Sequence, residues 1–268
     1  MTEFRDKSLY HYTSFSALNG ILRNKEIWLG NVRYMNDRSE MEYFFEKLSE
    51  EILCDMPDYS REIRTIFSDQ KRRLEGKTAY VFCLSELYDD ASQWDRYGNK
   101  GKGICIEFSE SRLLGMLDNR ALLQSVIYST DIGDHEVKVL IEKYIRDKTL
   151  PDGYDSVEAI FDRAWSCAFA FKHPSFNSER EVRICANPFF PDGFSTNIFR
   201  YEHSEGSLRE FLPLKLCPES GRDYGGCIKR IILGPGSGVD RNLFSRYLQS
   251  LMIESNIISV ALSTCPIC

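Results

Sequence analysis

Two glutamates, Glu179 and Glu181, stand two residues apart in the run SEREVRICA at 178–186. Strand alternation there puts Val182, Ile184 and Ala186 on one face and Glu179, Glu181 and Arg183 on the other. Two carboxylates share a strand face at an electrostatic cost unless cations or a substrate offset it. Such a pair suits glycosyl chemistry. One carboxylate holds a ribose hydroxyl and stabilises positive charge developing at an anomeric carbon, while the other orients or deprotonates an acceptor. The plainer reading is a solvated strand face, salt-linked to Arg180, Arg183 or Lys172.

His11, one of four histidines, lies between Tyr10 and Tyr12 and is followed by Thr13. A strand carrying H-x-T offers an imidazole and a hydroxyl to a ribose diol, although a lone histidine more often serves the structure. Ser85 closes the apolar run AYVFCL at 79–84, as a ligand or simply as a strand end. Trp94 and Tyr97 are three apart and share a helix face, where they bury apolar area or wall a site. His11, Tyr12, Ser85, Trp94, Tyr97, Glu179 and Glu181 are therefore expected around one pocket.

Several chemistries drop out. There is no P-loop, no dinucleotide-binding G-x-G-x-x-G, no H-E-x-x-H and no G-x-S-x-G. The run GPGSG at 234–238 follows a strand but lacks the P-loop lysine. It reads as a turn before a helix capped by Asp240, with an anion at that helix end as the alternative. Nine cysteines include Cys83, Cys105 and Cys185 inside strand-like runs, where a thiol acts as a small buried apolar group in a reducing compartment. Cys265 and Cys268 form a C-x-x-C, and Cys217 with Cys227 would have to complete a zinc site, but that second pair is spaced too widely for a ribbon. Free thiols, no bound metal and a cytoplasmic location are the expectation.

The composition, 43% hydrophobic and 28% charged, is that of a folded globular chain. A net charge of −6 argues against a broad grip on nucleic acid and leaves a local basic strip as the route to a polyanion. The opening residues TEFRDK lead into no apolar h-region, and no apolar run reaches membrane-spanning length, so neither a secretory signal nor a membrane is expected.

The elements that must position these residues follow from periodicity. Leu9 to Tyr12 reads as a strand, followed by a helix capped by Thr13 or Ser14 with Phe15, Leu18, Ile21 and Leu22 on one side. Ile27 to Leu29 reads as a strand, Asn36 or Asp37 starts a helix through Leu48, and Ile63 to Leu74 is a charge-rich, solvated helix. Ala79 to Leu84 and Gly103 to Phe108 suit central strands, with a short helix at 89–97 between them. A strand at 124–128, helices at about 134–147 and 155–171, and the Ser178 to Ala186 strand come next. Residues 187–207 read as an irregular excursion over a site, and Phe211 to Leu216 returns as a strand. A β-α-β tail at about 227–263 ends the chain. Without repeats or linkers, the whole of 1–268 is expected to form one α+β domain.

In order along the chain, LYHYTS at 9–14, YMND with Glu40 at 34–40, FCLSE at 82–86, QW with YG at 93–98, GKGICIEF at 101–108 and EREVRI at 179–184 form a set. That set resembles the bacterial domain-of-unknown-function (DUF) 2971 family, which is similar in layout to the ADP-ribosyltransferase fold. The resemblance implies a split mixed/antiparallel β-sheet with flanking helices, holding NAD as substrate in a cleft. By position it implies His11 on the nicotinamide-side ribose and Ser85 as the middle serine, although FCLS lacks the usual S-T-S. It implies Glu181 as the catalytic glutamate and Glu179 as the preceding acid, with Tyr12 and Thr13 in the cofactor site and Tyr34, Trp94 or Tyr97 stacked on nicotinamide. The implied activity is ADP-ribosyl transfer to a protein or nucleic acid, by a toxin or phage-defence effector with a neutralising antitoxin as possible partner. The alternatives are NAD hydrolysis, or a binding domain of the same fold without catalysis.

Overall fold

The computed structural model describes residues 6–34, 38–74, 78–117, 121–186, 199–204, 207–216, 226–253 and 257–266. β1 (Ser8–Thr13) leads into α1 (Phe15–Asn24), whose N-cap is Ser14: its hydroxyl accepts from the Ala17 N–H. β2 (Glu26–Asn31) precedes a 3-10 turn, Val32–Tyr34, and helices α2 (Arg38–Asp55) and α3 (Ser60–Leu74). Then come β3 (Tyr80–Ser85), α4 (Ala91–Arg96), β4 (Ile104–Ser109), α5 (Glu110–Met116), β5 (Ala121–Ser125) and the short β6 (Ile127–Tyr128). Helices α6 (Glu136–Asp147) and α7 (Val157–Ala168) lead to β7 (Phe171–Lys172), a 3-10 turn Pro174–Glu179 and β8 (Glu181–Ala186). β9 (Arg200–Ser204), β10 (Ser207–Lys215), β11 (Ile228–Leu233), α8 (Arg241–Ser250) and β12 (Ser259–Leu262) complete the order.

This is an α+β protein built on one large mixed, mostly antiparallel sheet with flanking helices. The main path runs β12-β11-β4-β1-β3-β2-β10-β9, with β8 beside β3 and β5 beside β8. β11 and β12 pair in parallel across α8, so the β-α-β tail is as expected. The sheet forks at β3. β8 pairs along β3 from Tyr80 to Ser85. β1 and β2 must therefore share the other edge of β3. β1 takes only Ser85, and β2 takes only Val81 and Tyr80.

The two faces differ. One packs Leu9, Ile104, Ile106, Phe108, Phe82, Leu84, Val182 and Ile184 against Leu18, Leu22, Phe244 and Leu248 of α1 and α8. The other carries Tyr10, Tyr12, Cys105 and Ile232 around Trp94, then Val81 and Cys185 against Trp165 and Phe169 of the α7 end. A further apolar cluster joins α2, α3, α6 and α7.

Several local expectations change. Residues 178–180 are not strand: Pro174 at the first turn starts a 3-10 turn under its His173 cap, and Arg180 at φ 43 breaks the extended path before β8. Arg200–Ser204 is not irregular but an edge strand on β10, while 187–198 lies outside the described residues. The 124–128 strand is two strands, β5 pairing with β8 and β6 with β7. α3 is not simply solvated, since it buries Ile63 and Gln70. The Asn36 or Asp37 helix start also lies outside the described residues.

Candidate functional site

Cross-strand register sets five polar residues in one line on the second face. Arg230 on β11 faces Glu107 on β4, Glu107 faces Tyr10 on β1, Tyr10 faces Ser85 on β3, and Ser85 faces Glu181 on β8. Directly opposed residues on neighbouring strands have Cβ atoms about 4.5–5.5 Å apart, so this is a continuous polar row. One end is an ion pair, Arg230 Nε on Glu107 Oε2 at 2.6 Å, covered by Tyr88, whose ring meets both Arg230 and Tyr10. The other end is the acidic pair.

That pair is buried and neutralised. Glu181 accepts from Arg183 with both oxygens, Nε to Oε1 and a terminal nitrogen to Oε2, each at 2.8 Å, and from Lys172 Nζ at 3.3 Å. Glu179 accepts from Lys172 at 2.8 Å through Oε2, and from Arg96 at 2.8 Å and the Tyr97 hydroxyl at 3.0 Å through Oε1. Lys172, Arg183, Glu179 and Glu181 are all under 9% exposed, so the ion pairs stand in low dielectric. Burial pushes the Glu181 carboxyl up, but the Arg183 guanidinium and Lys172 outweigh it and hold it below the ordinary value. The Tyr97 phenol is raised, first by burial and then by the Glu179 charge. Its outer side remains half exposed, as does Arg96.

Backbone ties fix where Glu179 stands. The Ser85 hydroxyl donates to the Glu179 carbonyl at 2.7 Å and accepts from the Leu87 N–H at 3.1 Å, and Glu86 N–H donates to the Arg180 carbonyl at 3.0 Å. The loop after β3 and the turn before β8 are thereby zipped together. Ser85 is thus a tie between two backbones. Glu181 donates its own N–H to the Tyr128 hydroxyl at 2.8 Å, and burial pushes that phenol up to about 12.

The expected grouping is partly assembled. Ser85, Tyr97, Glu179 and Glu181 come together. His11 does not: it is on the opposite face, stacked on Phe82 at 4.1 Å between centroids. It fills the fork in the sheet, donating Nδ1–H to the Cys83 carbonyl at 2.8 Å, a group that neither β1 nor β2 reaches in the ladder. Burial lowers its pKa from 6.5 to about 4, so the imidazole is neutral. Thr13 alternates onto the face of His11 and Leu9. In the row, the first-strand position belongs to Tyr10.

Tyr12 is on the second face but serves the fold, donating to the Leu87 carbonyl at 2.8 Å and accepting from the Asp90 N–H at 3.0 Å. Trp94 is fully buried, edge-on to Tyr12 at 4.9 Å, so it cannot stack on a ligand. Tyr34 is exposed at the end of the Val32–Tyr34 turn. The GPGSG turn is not an anion cradle, because Gly234 N–H donates to the Gly103 carbonyl, Gly236 N–H to Gly101 and Ser237 N–H to Gly234. A Cβ on Gly234 would lie 2.3 Å from the Gly101 oxygen, which accounts for glycine there. Cys227 belongs to the core of the first face and Cys265 packs on the Trp94 cluster of the second, while Cys217 and Cys268 lie outside the described residues.

Arg96, Tyr128 and Tyr10 are the site residues that local sequence reading misses. Lys172 had a signal, since a lysine ending the run AFAFK is placed where apolar neighbours must bury it.

Fold and site together define an α+β protein whose sheet face carries a polar row ending in a buried, cation-neutralised carboxylate pair. Over residues 93–184 the chain matches the family described as "Protein of unknown function (DUF2971)". That stretch begins at α4 and ends inside β8, and so contains Arg96, Tyr97, Lys172, Glu179, Glu181 and Arg183 but neither His11 nor Ser85. No curated protein and no solved structure matches the chain. Among the described residues, no helix is long and apolar enough to cross a membrane.

Proposed function

We propose that the chain is an NAD-dependent ADP-ribosyltransferase whose reacting end is the Glu179–Glu181 pair. The observation that carries this reading is a buried carboxylate pair ion-paired to the buried Lys172 and Arg183, beside the half-exposed Arg96 and Tyr97. The forked, mostly antiparallel sheet and the Tyr10–Ser85–Glu181 row on three adjacent strands support it. Nicotinamide leaves with the electron pair of the glycosidic C–N bond, and the ribose carbon becomes oxocarbenium-like. Glu181, clamped at both oxygens, is a fixed negative charge suited to stabilising that carbon. Glu179, whose Oε1 faces the half-exposed Arg96 and Tyr97, is the acid that can turn to an acceptor and take its proton. The acceptor is a protein or nucleic acid in a cytoplasmic setting, and a neutralising antitoxin fits an effector of this kind. His11 has no place in this scheme.

One observation favours a second reading, a nucleotide- or partner-binding domain without catalysis. Every oxygen of the two carboxylates already has a cation or hydroxyl partner. Purified protein incubated with labelled NAD and cell extract separates the two. Label transfer or nicotinamide release that is lost in folded Glu181→Gln and Glu179→Gln, and kept in His11→Gln, is the expected result. Turnover indifferent to both glutamates removes the transferase reading. Release without label transfer makes water the acceptor.

A further inference from the structure

Asp89 stands in the left-handed region at φ 48, where a non-glycine residue needs local bonds to hold it. Its carboxylate accepts four hydrogen bonds. Trp94 Nε1 donates to Oδ1 at 2.8 Å, the Ser263 hydroxyl donates to the same oxygen at 2.5 Å, and Thr264 donates to Oδ2 through N–H at 2.7 Å and through its hydroxyl at 3.0 Å. Three of these four come from the segment that follows β12. That segment is itself anchored: Ser263 N–H donates to the Leu233 carbonyl at 2.9 Å, Cys265 N–H donates to the Ser263 hydroxyl at 3.1 Å, and Cys265 packs on the cluster that contains Trp94.

The element fastened this way is α4. Six residues are too few for a helix to persist by its own hydrogen bonds. α4 is held by its Asp90 cap, by buried Trp94, and by Asp89 from the segment beyond β12. Its far end delivers Arg96 and Tyr97 to Glu179, as the outer partners of a cluster whose inner members are buried.

We propose that Ser263–Cys265 is a strap that, through Asp89 and Trp94, holds α4 closed over Glu179, so that releasing it uncovers the carboxylate pair. The strap stands on its hydrogen bonds to Asp89 ahead of α4, and the closure on those of Arg96 and Tyr97 to Glu179 at the far end. Its consequence for activity rests on the transferase reading.

The two can be tested apart in the full chain. Ser263→Ala with Thr264→Pro removes all three donors from the strap, and Thr264→Ser keeps them. Amide hydrogen exchange is read on peptides covering 91–97, where Trp94 N–H and Tyr97 N–H report on α4, and on 80–85 and 181–186 as controls. The expected result is exchange at 91–97 faster by about tenfold or more in the double variant, unchanged controls, and wild-type behaviour in Thr264→Ser. Asp89→Asn, which weakens all four bonds from the other side, should loosen α4 in the same way and serves if the double variant does not fold. Unchanged exchange at 91–97, or the same acceleration in the controls, overturns the strap. Labelled NAD given to the same samples adds a separate readout. Faster α4 exchange with raised NAD turnover supports both ideas, and faster exchange without turnover keeps the strap while removing the transferase reading.

Discussion

The two faces of the sheet solve different problems. On the face packed by α1 and α8, neighbours are interchangeable in kind: Ile106, Phe82, Ile184 and Leu18 fill volume, and His11, a polar residue among them, is neutral and spends its N–H on a backbone carbonyl. On the other face, identity matters more than size. Glu107, Glu179, Glu181, Lys172 and Arg183 are buried and each is balanced by a particular partner. An apolar face loses stability in proportion to the volume removed, whereas a neutralised cluster loses it according to the charge left uncompensated.

Lys172→Met should show the largest effect, because it keeps most of the side-chain volume but removes the cation between two carboxylates. Breaking one partner out of a buried pair costs about 3–5 kcal/mol, readable in urea unfolding. The matching change at the other end of the row, Arg230→Met, removes a cation that is 36% exposed and should cost about 1 kcal/mol or less. Equal losses would mean that the two ends of the row do not differ as described.

Acid should act on each face in its own window. His11 has its pKa lowered in the fold, so the unfolded chain binds its proton first. Stability is full above the ordinary 6.5 and falls as the pH drops towards about 4, by a total on the order of 3 kcal/mol at about 1.4 kcal/mol per pH unit. Glu181 is also lowered, so the stability it gives is present above 4.5 and is lost below that, as pH falls through its folded value. Thermal melting from pH 7 to pH 3 should therefore show two descents. His11→Gln, which still offers an N–H to Cys83, should remove the upper one and leave the lower. A variant that keeps both descents would place the upper one elsewhere.

The element order was largely legible, since the core strands are near-continuous apolar runs and the helices are amphipathic and capped at Ser14, Asp90, Ser156 and Asp240. The grouping of Ser85 with Glu179 and Glu181 was legible too. His11 was misplaced because alternation along β1 separates it from Tyr10 and Tyr12 but does not say which face meets Glu181. That depends on the Tyr10–Ser85–Glu181 register between strands distant in sequence, where a slip of one residue exchanges the faces. Arg96 and Tyr128 escaped for the same reason: each reaches the acids from a segment whose local pattern says nothing about its partner.

Ser85→Ala compares the faces at the scale of one hydroxyl. It strips a donor from the Glu179 carbonyl and an acceptor from the Leu87 N–H, so about 1–3 kcal/mol is expected. Ile106→Val, on the first face, deletes one methylene among apolar neighbours and should cost about 0.5–1.5 kcal/mol. Chemical denaturation of the two variants ranks them. A smaller loss at Ser85 would mean that the zipped loops are held by Glu86 and Arg180 alone.

Arg96→Met should have the smallest effect on stability, although it too removes a cation from Glu179. The arginine is half exposed, Lys172 still neutralises the other oxygen, and the Tyr97 hydroxyl can keep its bond, so the change should stay within about 1 kcal/mol. Position in the cluster therefore sorts two cations that touch the same carboxylate. The inner one, Lys172, is part of what makes the face stable, and the outer one, Arg96, is a cover. If Arg96→Met destabilises the protein as much as Lys172→Met, Arg96 belongs to the buried network and α4 is not a removable cover over Glu179.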